Sequence, residues 1–120
     1  MEEQLLKSGE RINQLFSTDI KIIQNREVFS YSVDSVLLSR FPRFPKNGLI
    51  VDFCAGNGAV GLFASSRTKA KILSVEIQER LADMAERSVQ LNGLEEQMQV
   101  ICDDLKNMPA HIQGSKVDMI

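Results

Sequence analysis

The spacing of apolar residues changes once along the chain, near residue 49. Upstream, the runs IKIIQN and EVFSYS alternate apolar and polar positions on either side of Asn25-Arg26, which predicts two strands joined as a hairpin. Ser32 then stands where an N-cap belongs, ahead of a helix from Val33 to about Phe41 whose Val36, Leu37 and Phe41 can face a core. Downstream the pattern becomes continuous. LIVDF is a continuous apolar run of the kind found in strands covered on both faces, KILSVE and MQVIC read as a second and a third strand, and KVDMI opens a fourth. Between them lie AVGLFASS, read as a short helix, and Gln78 to Asn92, where Leu81, Met84, Ala85, Ser88 and Leu91 make one face and Gly93 ends the helix. Strand and helix in alternation predict an α/β fold around a mainly parallel sheet with right-handed crossovers. The change of rhythm divides the chain into an N-terminal segment, 1–48, and a sheet-building segment, 49–120.

The first of these buried strands runs straight into chemistry. VDFCAGNGAVG, Val51 to Gly61, sets Asp52 at the strand end and glycines at 56, 58 and 61. A GxGxxG loop between strand and helix, with Glu76 ending the next strand, fits the dinucleotide-binding fingerprint. Asp52 argues against a phosphate, because a carboxylate in the same crevice repels a pyrophosphate resting on the helix terminus. It suits a ligand that carries positive charge. S-adenosylmethionine has no phosphate and offers an ammonium and a sulfonium, which Asp52 can meet directly or through water. Glu76 can accept from two ribose hydroxyls at once and so serves either cofactor. The plain alternative gives Asp52 to loop amides and the glycines to a tight turn.

Composition narrows the setting. At 120 residues, 43% hydrophobic and 25% charged, the chain suits one domain with a modest core. A net charge of -2 excludes a broadly basic nucleic-acid binder while leaving room for a local basic patch. No apolar run approaches membrane-spanning length, and the acidic start MEEQLLKSGE is unlike a secretory leader, so no membrane partner and a cytoplasmic location are expected. Cys54 and Cys102 form no CxxC pair and have no neighbouring His; no metal site is expected, and both are expected as buried free thiols. Asp83 and Arg87, four apart on the long helix, are expected as an exposed pair. His111 has no partner in the sequence and is expected on the surface.

VDFCAGNGAVG, VEIQERLADMAERSVQLNG and VICDDL resemble the first three motifs of the class I S-adenosylmethionine-dependent methyltransferases. The resemblance implies a Rossmann-like, three-layer fold with only its N-terminal part present, and S-adenosylmethionine as cofactor. It assigns the loop residues Cys54, Ala55, Gly56, Asn57 and Gly58 to that cofactor beside Asp52 and Glu76, and sets Ile77 against the adenine ring, where an ordinary core contact accounts for it equally well. An acidic residue after the third strand takes the adenine amino group. Asp104 holds the usual place, while Asp103 stands where many relatives have a small residue; the contact stays open between the two, and a solvated acidic turn capping LKNM accounts equally well for Asp103, less so for Asp104.

GERINQLF, IKIIQN and EVFSYSVDSVLLSRF resemble, more specifically, the leader of the bacterial group that methylates the exocyclic amine of an adenine beside the anticodon of valine tRNA. That resemblance implies tRNA as partner and a leader that closes over the cofactor, with Asp34 and the amides near Ser32 at the methionine end. Simple helix capping accounts equally well for both residues. RFPRFPK, Arg40 to Lys46, interleaves three cations with two phenylalanines and can rest on an RNA backbone. The plainer expectation is a proline-stiffened connector with Phe41 and Phe44 packed inward.

Methyl transfer to an amine is an in-line displacement in which the enzyme holds nucleophile, methyl and sulfur collinear, and it needs no metal. In the family, an Asn-Pro-Pro-Tyr turn after the fourth strand holds the amine and stacks the flipped base. The chain reaches Ile120 within that strand, so no catalytic residue is expected among residues 1–120. They are expected to be the front portion of a longer enzyme, inactive and poorly stable alone. The alternatives are another N-methyltransferase acting on rRNA guanine or protein glutamine, a non-catalytic S-adenosylmethionine-binding module, and a NAD-binding half-domain.

Overall fold

The structure, a computed structural model, describes residues 2–15, 18–25, 37, 38, 40, 43–112 and 116–120. Its strands are β1 (Glu10–Gln14), β2 (Lys21–Asn25), β3 (Leu49–Phe53), β4 (Lys71–Glu76) and β5 (Met98–Cys102). Its helices are α1 (Ala59–Ser65), α2 (Glu79–Leu91) and α3 (Met108–His111), with single 3-10 turns at Glu2–Leu5 and Leu105–Asn107. Gly93, with φ +65°, follows the C-cap of α2 as expected, and Leu94 N closes the turn on Val89 O at 3.0 Å.

β3, β4 and β5 form a parallel sheet in that order, with α1 and α2 as its crossovers. The strand expected at KVDMI is present as one parallel bridge from Met119 to Ile50. Asp118 N donates to Leu49 O at 2.8 Å and Val51 N to Met119 O at 2.9 Å, so the chain returns on the side of β3 away from β4. Strand order therefore reverses at β3, and in open α/β sheets the carboxyl end of such a switch point is where ligands sit.

The two-residue period of the strands sorts the core. Ile50, Ile72 and Met98 point to one face, where Leu62 and Phe63 of α1 and Val89 of α2 cover them. Val51, Leu73 and Val75 point to the other, against Met108 of α3 and the half-buried Ile112 and Val117. Gly61 sets how close α1 comes: a Cβ there would stand 2.8 Å from Met98 Cε and 3.0 Å from Ser74 Oγ.

β1 and β2 form a separate antiparallel pair, Ile12 opposite Ile23, that packs on α2. Ile23 N donates to Ser88 Oγ at 2.9 Å, Lys21 N to Asn92 Oδ1 at 2.8 Å, and Asn92 Nδ2 returns to Lys21 O at 2.6 Å. The strand IKIIQN thus finds its partner upstream, in ERINQ, a correction to the expected pairing across Asn25-Arg26 among the described residues. EVFSYS, with Ser32, and Asp34 of the predicted helix lie outside the described residues; within that helix Leu37, Leu38 and Arg40 are described, and helical.

A second correction comes from the same contact. Arg87, expected on an exposed face, is 8% exposed because the leader covers it. Its guanidinium forks onto both oxygens of Glu10, with Nη2 to Oε2 at 2.7 Å, and also reaches Leu5 O at 2.6 Å and Asp83 Oδ2 at 3.0 Å.

Candidate functional site

Register decides which side chains meet at the carboxyl end of the sheet. Asp52 lies opposite Ser74, and Glu76 follows Ser74 by two, so both carboxylates emerge on the α1–α2 face beside the glycine loop. Asp52 Oδ2 is buried with no hydrogen-bond partner among the described residues. Burial pushes the Asp52 carboxyl up from the usual 3.8 to about 6, and the neighbouring charge of Glu76 adds to the rise. Glu76, 7% exposed, is instead engaged on both oxygens: Oε1 accepts from Gly56 N and Oε2 from Gln78 N, each at 2.8 Å. One side chain therefore pins the glycine loop and the entry to α2 together. A carboxylate has about four lone-pair sites, so Glu76 retains capacity to accept from a ribose.

The loop between them carries local strain. Cys54 has φ +59°, a left-handed conformation uncommon for a residue with a Cβ, and Gly58, the N-cap of α1, has φ +90°. Ala55 N bonds Val75 O at 2.9 Å, and Gly58 N bonds Ala55 O at 3.0 Å, so the loop is anchored to β4 and closed on itself. Asn57 is fully buried, donates from Nδ2 to Ile23 O at 3.3 Å, and leaves Oδ1 without a partner among the described residues. The glycine loop is thereby tied to β2 of the leader.

Several exposed apolar side chains end elements at the carboxyl end, and the sequence singled out only Ile77 among them, through the resemblance. Ile77 is 62% exposed, and Phe53 and Leu105 stand exposed at the ends of their elements. Cys54 and Cys102 are free thiols as expected, but exposed where burial was expected, because the chain leaves the sheet at both positions. Cys102 Sγ lies 3.8 Å from Ile77 O.

The two candidate acids after β5 differ. Asp103 is enclosed by donors from its own turn: Oδ1 accepts from Asp104 N at 2.7 Å and Asn107 Nδ2 at 2.8 Å, and Oδ2 lies 2.8 Å from His111 Nε2. These contacts, His111 first, lower its carboxyl to about 2. His111, expected without a partner, thus has one, eight residues upstream. Asp104 caps the Leu105–Asn107 turn through Lys106 N at 3.0 Å, with Lys106 Nζ at 3.9 Å. Among the described residues no group of three His, Cys, Asp or Glu is placed to hold a metal ion, and no helix is long and apolar enough to cross a membrane.

A parallel sheet with its switch point at β3, a glycine loop and carboxylates ending the first two strands define part of a Rossmann-like class I methyltransferase fold. The chain belongs to the family described as Conserved hypothetical protein 95, whose sequence model matches residues 34–120. Over 89 residues it is 28% identical to a tRNA1(Val) (adenine(37)-N6)-methyltransferase of Shewanella halifaxensis, an alignment covering 74% of this chain and 36% of that protein. The chain thus spans about a third of the length of this curated relative. Among solved structures it is similar to a Pyrococcus horikoshii protein described as a transferase, with TM-score 0.71 and 20% identity over 86% of this chain and 39% of the other. It is also similar to TYW2 of Pyrococcus horikoshii in complex with MeSAdo, with TM-score 0.69 and 19% identity over 84% of this chain and 38% of the other. At such identities these two establish the fold.

Proposed function

We propose that the crevice at the carboxyl ends of β3 and β4 binds S-adenosylmethionine, and that the chain is the cofactor-holding part of a methyltransferase whose acceptor is an adenine amine of valine tRNA. One observation carries the cofactor: Asp52 holds a buried carboxylate oxygen with no partner among the described residues. A pyrophosphate would bring more negative charge to that oxygen; an ammonium brings the missing counter-charge. The residues present therefore fit a cation-bearing nucleoside better than NAD. S-adenosylmethionine, when bound, supplies an electrophilic methyl on a sulfonium.

In this reading Asp52 meets the methionine ammonium and Glu76 accepts from the ribose while continuing to hold Gly56. Cys54, Ala55, Gly56, Asn57 and Gly58 form the backbone cradle, and Ile77 covers one face of the adenine. The adenine amino group goes to Asp104, whose oxygens have fewer partners than those of Asp103. Ser32 and Asp34, outside the described residues, are the candidates for the methionine end that the resemblance supplies. Support for the tRNA acceptor is the activity for which the Shewanella halifaxensis relative is named. Two exposed free thiols suit a reducing, cytoplasmic compartment.

Calorimetric titration tests the cofactor. S-adenosylhomocysteine is expected to bind and NAD to give no heat; the reverse result overturns the reading. Transfer is tested with labelled S-adenosylmethionine and unmodified valine tRNA. Residues 1–120 contain no Asn-Pro-Pro-Tyr run and are expected to bind the cofactor without labelling the tRNA.

A further inference from the structure

The two ends of the parallel sheet carry opposite charge. The carboxyl end holds Asp52, Glu76, Asp103 and Asp104, whereas the loops entering β3 and β4 at the amino end expose Arg43, Lys46, Arg67 and Lys69. These cations are not scattered. Thr68, between two of them, donates its hydroxyl to Pro45 O, between the other two, and Lys71 N donates to Gly48 O at 2.8 Å, so the two loops form one surface. Phe44 is half-buried against the core, and the Arg67 guanidinium lies 5.7 Å from its ring centroid. Asp118 is engaged by Leu49 N at 2.9 Å and by Lys116 at 3.6 Å, and Glu95 and Glu96 lie on the neighbouring loop toward β5, where Lys71 Nζ reaches Glu96 O at 2.5 Å.

We propose that this amino-end surface, built by Arg43, Lys46, Arg67 and Lys69 on two knitted loops, is a docking site for the phosphate backbone of RNA. The inference rests on the reading of the substrate as RNA and adds where the RNA is held. Phosphate contacts fix position without reading sequence, and clustered cations on a rigid platform supply them. The strands set the amino end about 17–20 Å from the crevice. A folded RNA spans that distance, so the acceptor base reaches the acidic mouth while a neighbouring stem is gripped elsewhere. The arrangement separates tasks that conflict, because cations placed at the mouth would compete with the cofactor's positive charge for Asp52.

The test is tRNA binding by the whole chain as a function of salt, using an unmodified valine tRNA transcript, for the wild type and for Arg43→Ala/Lys46→Ala/Lys69→Ala. All three side chains are exposed, and an unchanged affinity for S-adenosylhomocysteine reports an intact fold. Loss of three phosphate contacts is expected to lower the slope of log affinity against log salt by about 2–3. The comparison variant Arg80→Ala/Lys106→Ala, at the opposite end, is expected to lower it less. A triple variant with the wild-type slope, or a larger loss from the opposite-end pair, overturns the docking site alone. A wild type that binds S-adenosylhomocysteine but no tRNA overturns the RNA reading as well. Tighter binding to phosphatidylglycerol vesicles than to tRNA at equal salt assigns the surface to a membrane and overturns the proposal.

Discussion

At the amino end of the sheet, polar groups satisfy one another. Thr68 Oγ1 donates to Pro45 O and accepts from Ala70 N at 3.1 Å, while Gln97 Nε2 donates to Thr68 O at 2.7 Å and Ala70 O at 3.1 Å. At the carboxyl end the accounting stays open. Asp52 Oδ2 and Asn57 Oδ1 are buried without partners among the described residues, Cys54 sits in the left-handed region, and Ile77 projects into solvent. The same strands make both ends, so the difference is not one of fold. Where side chains complete each other they serve architecture; unsatisfied groups gathered in a crevice mark the place that a ligand completes.

The sharpest way to break this contrast is Asp52→Asn. The folded carboxyl titrates at about 6 and the unfolded one at 3.8. The native state therefore binds more protons between those values, and stability from this group is full below 3.8 and lost as pH rises through 6. At neutral pH the charged Asp52 costs the ligand-free protein up to about 3 kcal/mol. Asp52→Asn is expected to raise the thermal midpoint at pH 7 while weakening S-adenosylhomocysteine binding by roughly 10–150-fold, the equivalent of a hydrogen bond to a charged group. In the wild type, affinity is expected to climb as pH rises through 6 and then level off. A variant that loses stability, or binds as before, assigns Asp52 to architecture.

The converse variant lies at the other end. Thr68→Val keeps the shape and removes the hydroxyl that serves Pro45 O and Ala70 N. It is expected to cost about 1–3 kcal/mol in denaturant unfolding, since both backbone groups lose a partner. Its affinity for S-adenosylhomocysteine is expected to stay at the wild-type value. A change in affinity would mean that the two ends are coupled.

Most of this sheet is legible in the sequence. LIVDF, KILSVE and MQVIC match β3, β4 and β5, and the face of Leu81, Met84, Ala85 and Ser88 is buried in α2. These elements are declared by local pattern, as is the glycine loop. The leader was not legible in the same way. IKIIQN alternates whichever neighbour it pairs with, and turn propensity at Asn25-Arg26 could not reveal that ERINQ lies alongside. Arg87 reads as a surface residue until Glu10, 77 positions away, is brought onto it. His111 meets Asp103 only because the chain turns through Leu105–Asn107 between them. What periodicity misses is contact across long separations, and the orphan state of Asp52 Oδ2 belongs to that class.

A smaller test asks whether the exposed rim serves the ligand. Ile77 is 62% exposed, so Ile77→Ala is expected to leave the unfolding free energy unchanged. Covering its side chain with an adenine ring contributes about 1 kcal/mol, or roughly fivefold in affinity for S-adenosylhomocysteine. The cost should vanish for a ligand without the nucleobase, such as methionine. Equal losses for both would place Ile77 in the support of the loop instead.

The smallest expected effect separates the two acids after β5, and so divides the carboxyl end itself. Asp103 is engaged by Asp104 N, Asn107 and His111, which hold its carboxyl at about 2 against 3.8 when unfolded. A depressed carboxyl contributes stability above 3.8 that is lost as pH falls toward 2, because the unfolded state then takes up the proton first. Asp103→Asn is therefore expected to flatten the acid limb of the unfolding curve over that window, by an amount kept small because the group is solvent-exposed. Its cofactor affinity should not move, since those oxygens already face donors of their own turn. Asp104→Asn should instead weaken S-adenosylhomocysteine, because its carboxylate meets only Lys106 within the turn. If Asp103→Asn weakens the ligand and Asp104→Asn does not, the roles exchange, and the hydrogen bonds around Asp103 must open when the cofactor binds.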